Sequence, residues 1–182
     1  AVNANGWESE NCGGVTAPPA ATGCGTAWTS PSVVSTGGTS SWYSEYPAIV
    51  GDGTAYGVAW QDTRDGNREI YFARVAADGT VLVPQTRITT ALGDSNFPSL
   101  VWTGSEYGVA WEDGRTTSGD IYFARISATG AKIGADVQIT SDAARSALPS
   151  LAWSGTEYGV AWEDCRSTLR DIYFARISAA GA

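Results

Sequence analysis

The sequence contains no histidine, no methionine, a single lysine and three cysteines among its 182 residues. The absence of histidine excludes Ser-His and Cys-His nucleophile pairs and every zinc site built on imidazole. Positive charge is scarce, since 11 Lys and Arg face 19 Asp and Glu and give a net charge of −8. The chain therefore offers no basic surface for nucleic acid.

Long apolar runs are also missing. No stretch approaches the roughly 18 residues that a membrane helix needs, and no Lys/Arg-rich amphipathic segment indicates a membrane-surface helix. The 43 % of hydrophobic residues can still form a core, and the 22 Gly, 8 Trp and 8 Tyr indicate strands and turns. Composition thus predicts a β-rich protein of the secreted type, with no membrane span and no nucleic-acid partner.

Three segments of the chain align without insertion or deletion. They start at Pro47, Pro98 and Pro149, so that successive starts are 51 residues apart, which indicates an internal repeat. The same spacing relates three further sets of positions: Trp60, Trp111 and Trp162; Arg64, Arg115 and Arg166; and Arg74, Arg125 and Arg176.

Each repeat predicts four short antiparallel strands separated by glycine turns. In the second strand of the middle repeat, Tyr107, Val109 and Trp111 alternate with the small residues Gly108 and Ala110. A sheet with one bulky and one flat face should stack on copies of itself, as propeller blades do. We expect an all-β fold of about three blades, which is half of a six-bladed ring or part of a larger propeller, since closed propellers have about 4 to 8 blades.

The motif Trp-Glu-Asp-X-Arg, followed by Asp-Ile-Tyr-Phe-Ala-Arg-Ile and a glycine turn, resembles the blade repeat of secreted bacterial β-propellers, which are loosely related to sialidase-like propellers. The resemblance covers about residues 46–182 and implies a blade fold with a secreted or cell-surface location. Sialidases carry a Ser-X-Asp-X-Gly-X-X-Trp box, and this sequence contains none.

Two regions differ in organisation. Residues 1–30 belong to no repeat and predict an irregular N-terminal segment, whereas residues 31–182 contain the blade repeats. In an exported protein Cys12 and Cys24 are expected to form a disulfide, with a bridge to Cys165 as the alternative.

The last repeat, from Pro149 to Ala182, spans 34 of 51 positions and lacks its fourth strand. The free edge at Ile172–Ile177 is expected to be paired, because exposed apolar edges promote aggregation. Val33 and Val34, from the same or a second chain, or another polypeptide could cover it. The expected partners are a second copy of the chain in a homo-oligomer, or the remainder of a longer chain.

The repeated pattern with the most charged residues is Asp-X-Arg, followed by a second acid farther along the loop between the second and third strands. Its members are Asp62, Arg64 and Glu69; Asp113, Arg115 and Asp120; and Asp164, Arg166 and Asp171. We expect each guanidinium to fork between its two acids and close the hairpin. The alternative is a rim of sugar-binding pockets, or of calcium sites in which the acids and Asn67 supply oxygen ligands.

The second repeated arginine, at Arg74, Arg125 and Arg176, alternates with apolar residues. Because a buried guanidinium needs a partner, we expect an ion pair between blades or a bond to a carbonyl. The alternative is an arginine cluster of the kind with which sialidases hold a carboxylate sugar.

Aromatic residues outside the repeat pattern are candidates for ligand contact, whereas the repeated Trp and Tyr are expected in the core. These candidates are Trp42 and Tyr43, before the first repeat, and Trp102 and Trp153, which occupy the position of Gly51.

Near-identical repeats disfavour catalysis, because a single active site breaks repeat symmetry whereas multivalent attachment preserves it. The sequence therefore predicts a non-catalytic extracellular module for binding, adhesion or assembly, with a glycan or protein ligand and no cofactor other than calcium. Two alternatives stay open. One is a sialidase-like glycoside hydrolase or a fragment of one, and the other is a purely structural subunit of an extracellular assembly.

Overall fold

A computed structural model describes residues 31–36, 42–116, 118–167 and 169–182. They form eleven β-strands and no helix, so this part of the chain contains no helix that could cross a membrane. The strands are β1 (Ser44–Gly51), β2 (Ala55–Asp62), β3 (Glu69–Ala76), β4 (Val81–Arg87), β5 (Ser95–Trp102), β6 (Glu106–Asp113), β7 (Asp120–Ser127), β8 (Lys132–Gln138), β9 (Ser146–Trp153), β10 (Glu157–Asp164) and β11 (Asp171–Ser178).

The strands form three antiparallel sheets in chain order, which we call blade 1 (β1–β4), blade 2 (β5–β8) and blade 3 (β9–β11). Neighbouring strands of a blade are joined by tight turns, so each blade is a simple meander. The first strands lie side by side, with β1 next to β5 and β5 next to β9. The expected all-β blade architecture is confirmed.

Successive blades pack a tyrosine of one onto a glycine of the other. Tyr107 of β6 lies over Gly57 of β2, and Tyr158 of β10 lies over Gly108 of β6. A Cβ at Gly108 would lie 2.6 Å from Cε1 of Tyr158 and 3.1 Å from the Phe123 ring, so only glycine fits. We call the tyrosine side of each blade its leading face and the glycine side its trailing face. The predicted stacking of a bulky face on a flat face is confirmed.

The hydroxyl of Tyr107 contacts an ion pair formed by Asp52 and Arg74. This hydroxyl donates to Oδ2 of Asp52 at 2.7 Å, and Nε of Arg74 donates to the same oxygen at 2.5 Å. The bond from Arg74 lowers the pKa of Asp52 below its ordinary value, against the opposing effect of burial. Burial, together with Asp52, raises the pKa of Tyr107. Blade 2 is thus fixed to blade 1 by a neutral phenol on an ionised carboxylate.

The next interface uses the same device with different residues. Tyr158 donates to Oε1 of Glu106 at 3.0 Å, and Arg125 donates to that oxygen at 2.5 Å. Arg125 also donates to the carbonyl of Ala180 in blade 3 at 3.2 Å. Of the two expected partners, the ion pair between blades is wrong, because the acid lies in the same blade as the arginine, whereas the bond to a carbonyl is found for Arg125. The tyrosine hydroxyl and the carbonyl make the connection between blades.

The first strand of each blade bends at the residue before its proline. Tyr46, Phe97 and Leu148 each have a φ of 52°, in the left-handed region that non-glycine residues rarely adopt. The pairing of β1 with β2 shifts between Glu45 and Ala48, and the other blades shift at the same place, which marks a β-bulge. Because the bend occurs in all three blades, it belongs to the blade scaffold.

Residues 31–36 form no strand and lie against blade 1. Val34 packs on the cluster that contains Trp60 and Tyr71, while Val33 is exposed. The prediction that these valines pair with β11 of the same chain is therefore wrong, because the segment is held on the leading face of blade 1.

Replacing Gly108 with Ala should lower the free energy of unfolding by about 1–3 kcal/mol, because the added Cβ overlaps the Tyr158 ring. Gly51→Ala is the matched control, since its Cβ would come no closer than 3.9 Å to Tyr56. Urea unfolding of the two variants provides the measurement. Equal midpoints would contradict the close packing of the blades.

Candidate functional site

The repeated Asp-X-Arg motif folds into a saturated cluster in blade 2. The fully buried Asp113 accepts bonds from Oγ of Ser95 at 3.2 Å and Nε1 of Trp111 at 2.8 Å. Arg115 adds three bonds, from its backbone N at 2.9 Å, Nε at 2.7 Å and Nη2 at 2.7 Å. Together these donors use all the ordinary acceptor capacity of one carboxylate.

The other blades repeat this cluster. Asp62 accepts from Nε1 of Trp60 at 3.1 Å, and Asp164 accepts from Trp162 at 2.8 Å. Each arginine lies flat on a tyrosine ring, with its Cζ 4.0–4.4 Å from the ring centroid. These rings belong to Tyr71, Tyr122 and Tyr173. The structure thus brings each predicted Asp and Arg together within its own blade.

The clustered carboxylates are held ionised. Burial raises the pKa of Asp113, but the bonds from Arg115 and Trp111 outweigh it and leave that pKa below its ordinary value. The bonds from Arg166 have the largest effect on Asp164 and lower its pKa. The bond to Asp113 in turn raises the pKa of Arg115. Such pairs have no proton to give at neutral pH, and their bonds join the end of the second strand to the loop that follows it.

The expected fork between two acids of one repeat is wrong in blade 2. Asp120 accepts from Oγ1 of Thr116 at 2.7 Å and Oγ1 of Thr140 at 3.0 Å instead of from Arg115. Asp113 takes Nε and one N–H of Nη2, and the second N–H of Nη2 reaches outward to Asp136 of β8, at 2.9 Å.

Asn67, a candidate calcium ligand, links two loops. Its Nδ2 donates to the carbonyls of Ala91 and Gly93 at 3.2 Å and 2.8 Å, and so joins the β2–β3 hairpin to the segment that leads into blade 2. No group of three or more Cys, Asp or Glu side chains that could hold a metal ion is found within the described ranges. The Asp-X-Arg carboxylates have their oxygens engaged by donors and offer little to a cation.

A cavity of about 750 Å³ opens at blade 1 beside Asp62 and Arg64. Trp42 and Tyr43 line it and are 38 % and 63 % exposed. Its other described lining residues are Ser35, Thr36, Ser44 and Glu45. Four of the residues predicted from the sequence therefore meet at one place, where aromatic surface lies next to charged groups.

The hairpin of blade 1 positions this lining. The backbone N of Tyr43 donates to Oγ1 of Thr63 at 2.9 Å, and the backbone N of Thr63 donates to the carbonyl of Tyr43 at 3.1 Å. Glu45 accepts from Nε2 of Gln61 at 3.2 Å. Both aromatic side chains thus project from a segment that is tied to a regular strand pair.

The cavity lining breaks the repeat symmetry although its frame is repeated. The backbone bond between Thr63 and Tyr43 recurs in blade 2 at 2.7 Å and in blade 3 at 3.0 Å. The positions of Trp42 and Tyr43 hold other residues there, namely Gly93 and Asp94 in blade 2 and Ala144 and Arg145 in blade 3. One scaffold therefore presents three different chemistries, and only blade 1 presents two aromatic rings.

Trp102 and Trp153 lie elsewhere. They are half-buried, and their rings contact Tyr107 and Tyr158, with centroids 4.6 Å and 4.7 Å apart. The structure does not bring them to the cavity, and a ligand contact by them stays a prediction.

The cysteine predictions concern two parts of the chain. Cys165, directly after β10, is a free and half-buried thiol. Cys12 and Cys24, expected to form a disulfide, lie outside the described residues.

No protein-family model and no curated protein matches this chain. Its fold is similar to an endo-arabinase from Bacteroides thetaiotaomicron, with a TM-score of 0.56 and 14 % identity over 80 % of this chain and 61 % of that one. An exo-1,5-α-L-arabinanase from a bovine ruminal metagenomic library has a TM-score of 0.51 and 11 % identity, over 82 % of this chain and 59 % of that one. A subtype N10 neuraminidase-like protein of A/little yellow-shouldered bat/Guatemala has a TM-score of 0.52 and 13 % identity, over 79 % of this chain and 45 % of that one.

These proteins are β-propellers, and the likeness shows that this chain has a propeller-blade fold. The chain spans about half of their length, between 45 % and 61 %.

Replacing Arg115 with Ala should lower the free energy of unfolding by about 1–3 kcal/mol, because the buried Asp113 loses its two guanidinium bonds. Arg170→Ala is the control, since Arg170 forms an exposed pair with Glu163 and should change stability by less than about 0.5 kcal/mol. Urea titration measures both. Unchanged stability of Arg115→Ala would contradict the structural role.

Stability should fall in acid. The pKa values of Asp62, Asp113 and Asp164 are lower in the folded than in the unfolded chain, so their stabilisation is complete above about pH 5 and is lost as the pH falls below the unfolded value near 4. Unfolding free energies between about pH 7 and pH 3 test this. Asp113→Asn removes one titrating group and should fall less steeply; parallel curves would count against the assignment.

Proposed function

We propose that the chain is a glycan-binding β-propeller module, secreted or at the cell surface, and that the cavity at blade 1 is its binding site. The observation that carries this proposal is the exposure of Trp42 and Tyr43 beside Arg64 and Glu45 in one cavity. Its volume of about 750 Å³ falls within the usual range for small-ligand sites.

The lining matches the chemistry of a sugar. Aromatic rings cover the C–H face of a pyranose or furanose ring, and a few fixed polar groups bond to its hydroxyls. Trp42 and Tyr43 supply the rings, while Arg64 and Glu45 supply donors and an acceptor. All four lie at the end of the strand pair β1–β2 where β1 begins and β2 ends, and this strand pair keeps them in place before binding.

The charges of the cavity favour a neutral sugar over an acidic one. Arg64 is neutralised by Asp62, with Nη2 and Oδ2 at 2.5 Å. Glu45 accepts from the amide of Gln61 and forms no ion pair with a described residue. A sugar carboxylate would therefore meet a net negative site on a chain whose net charge is −8.

The low pKa of Asp62 argues against a role for this residue as the general acid of a glycosidase. A general acid in glycoside hydrolysis needs a pKa raised towards neutrality. Burial raises the pKa of Asp62, but its bonds to Arg64 and Trp60 outweigh burial and lower it. This carboxyl is thus unsuited to donate a proton at neutral pH.

A second candidate function is glycoside hydrolysis, which is the activity named for two of the similar structures. Glu45 and Asp62 are the two described acids of the cavity, and a pair of acids is what the reaction uses. Because this chain spans about 60 % of each of those proteins, a hydrolase could also require residues beyond this chain.

Binding of the full chain to a neutral arabinan tests the proposal by isothermal titration. Trp42→Ala and Tyr43→Ala should each weaken binding about tenfold or more, because each removes a stacking surface. Tyr46→Ala is the matched control, since Tyr46 is an exposed aromatic residue that does not line the cavity, and it should bind normally.

A panel of neutral and acidic polysaccharides extends this test. Binding limited to sialylated or uronic-acid glycans would contradict the charge argument. Turnover of a glycoside that Glu45→Gln abolishes would establish the hydrolase instead. A chain that neither binds nor hydrolyses any member of the panel would favour the purely structural subunit.

A further inference from the structure

Blade 3 exposes side chains that blade 2 buries at the same positions. Ile121 and Phe123 on the trailing face of blade 2 are fully buried under blade 3. Their equivalents Ile172 and Phe174 are 75 % and 65 % exposed. The trailing face of blade 3 thus exposes the apolar side chains that join two blades elsewhere, and it has no described neighbour.

Blade 1 exposes part of the opposite half. Tyr107 and Tyr158 are fully buried on the trailing faces that precede them, whereas their equivalent Tyr56 is 44 % exposed. Ile49 is also exposed, although Leu100, its counterpart in blade 2, is buried. The two ends of the described chain therefore present the two halves of the interface that joins the blades internally.

Blade 3 also carries the charged pair that receives a tyrosine hydroxyl. Arg176 lies 3.3 Å from Glu157, as Arg74 pairs with Asp52 and Arg125 with Glu106. In the part of the chain that the structure describes, no tyrosine hydroxyl bonds to Glu157. The space over Gly159 has room for a ring, since among the described residues only Phe174 of its own blade lies within 4 Å of a Cβ built there.

The segment before blade 1 corresponds to a fourth strand. One repeat length of 51 residues before β4 (Val81–Arg87) falls on residues 30–36. Residues 31–36 cover Trp60 on the leading face of blade 1, just as Ile88, directly after β4, packs in the core cluster of Trp111 in blade 2. They therefore lie where the last strand of a preceding blade would pass, and blade 3 lacks that strand.

We propose that the leading face of blade 1 in a second copy docks on the trailing face of blade 3. The second copy's Tyr56 then lies over Gly159 with its hydroxyl on Glu157, and its residues 31–36 run beside β11 as the fourth strand. Two reciprocal contacts join two copies into a ring of six blades, within the about 4 to 8 of closed propellers. The contact between Tyr56 and Gly159 lies outside the cavity, which shares only Ser35 and Thr36 with the docking segment, so the assembly is tested separately from glycan binding.

Sedimentation equilibrium of the full chain tests the assembly. The wild-type chain should sediment with twice the mass of one chain. Phe174→Glu and Tyr56→Asp should each sediment as single chains, because a buried charge replaces an apolar contact at opposite ends of the molecule. Leu92→Asp is the matched control: Leu92 is fully exposed on a loop away from both faces, and the variant should stay a dimer. Near-ultraviolet circular dichroism shows that each variant is folded.

A milder variant tests the hydroxyl contact. Tyr56→Phe keeps the ring and should raise the dimer dissociation constant about tenfold, because one hydrogen bond to a charged group is lost. A wild-type chain that sediments singly, or with the mass of three or more copies, would overturn the proposal. A dimeric Tyr56→Asp would also overturn it, since it would show that the leading face of blade 1 lies outside the contact between the copies.

Discussion

The packing of a tyrosine onto a glycine between successive blades is the contact on which the rest of the structure depends. Tyr158 fits over Gly108 only because position 108 has no side chain, and the ring then brings its hydroxyl to Glu106. The close approach and the polar bond define one relative placement of the two sheets. Apolar packing alone would allow them to slide, whereas a buried hydroxyl must meet its acceptor.

The conspicuous charged residues serve this scaffold. Asp113 accepts bonds from both Arg115 and the adjacent Trp111, and these bonds close a hairpin. In such a repeat protein, the positions free to acquire a function are those whose backbone is held in the same way in every blade but whose residue type the fold does not restrict. Tyr43 and Asp94 illustrate this, because both residues accept the same backbone hydrogen bond, yet one has an aromatic ring and the other a carboxylate.

The blade fold could be predicted from sequence because its signals are local. The 51-residue period and the alternation around Tyr107 are enough to predict stacked four-stranded sheets. The partner of Arg115 could not be predicted, since Asp136 lies 21 residues away on a strand whose register depends on a bulge. The left-handed bend at Tyr46 also has no sequence signal, because a residue before proline ordinarily favours extended backbone.

The candidate site was partly predictable. Trp42 and Tyr43 are candidates because they are aromatic residues outside the repeat, and Asp62 and Arg64 are candidates because they belong to a repeated motif. Nothing local indicated that the two sets meet, because the segment before β1 reaches the hairpin through a backbone bond between Tyr43 and Thr63. The repeats do differ in sequence at this place, where Tyr43 corresponds to Asp94 and Arg145, whereas the serine that follows is the same in all three.

The equivalence of the blade interfaces has a consequence for how such a gene can change. Both described interfaces use a tyrosine, a glycine and an arginine at positions one period apart, and in each the arginine pairs with an acid of its own blade that accepts the tyrosine hydroxyl. Duplication or loss of one unit of 51 codons would therefore insert or remove a blade whose two faces already fit their new neighbours. Ring size could change by recombination in a single step, while the residues at the position of Tyr43 diversify independently in each copy.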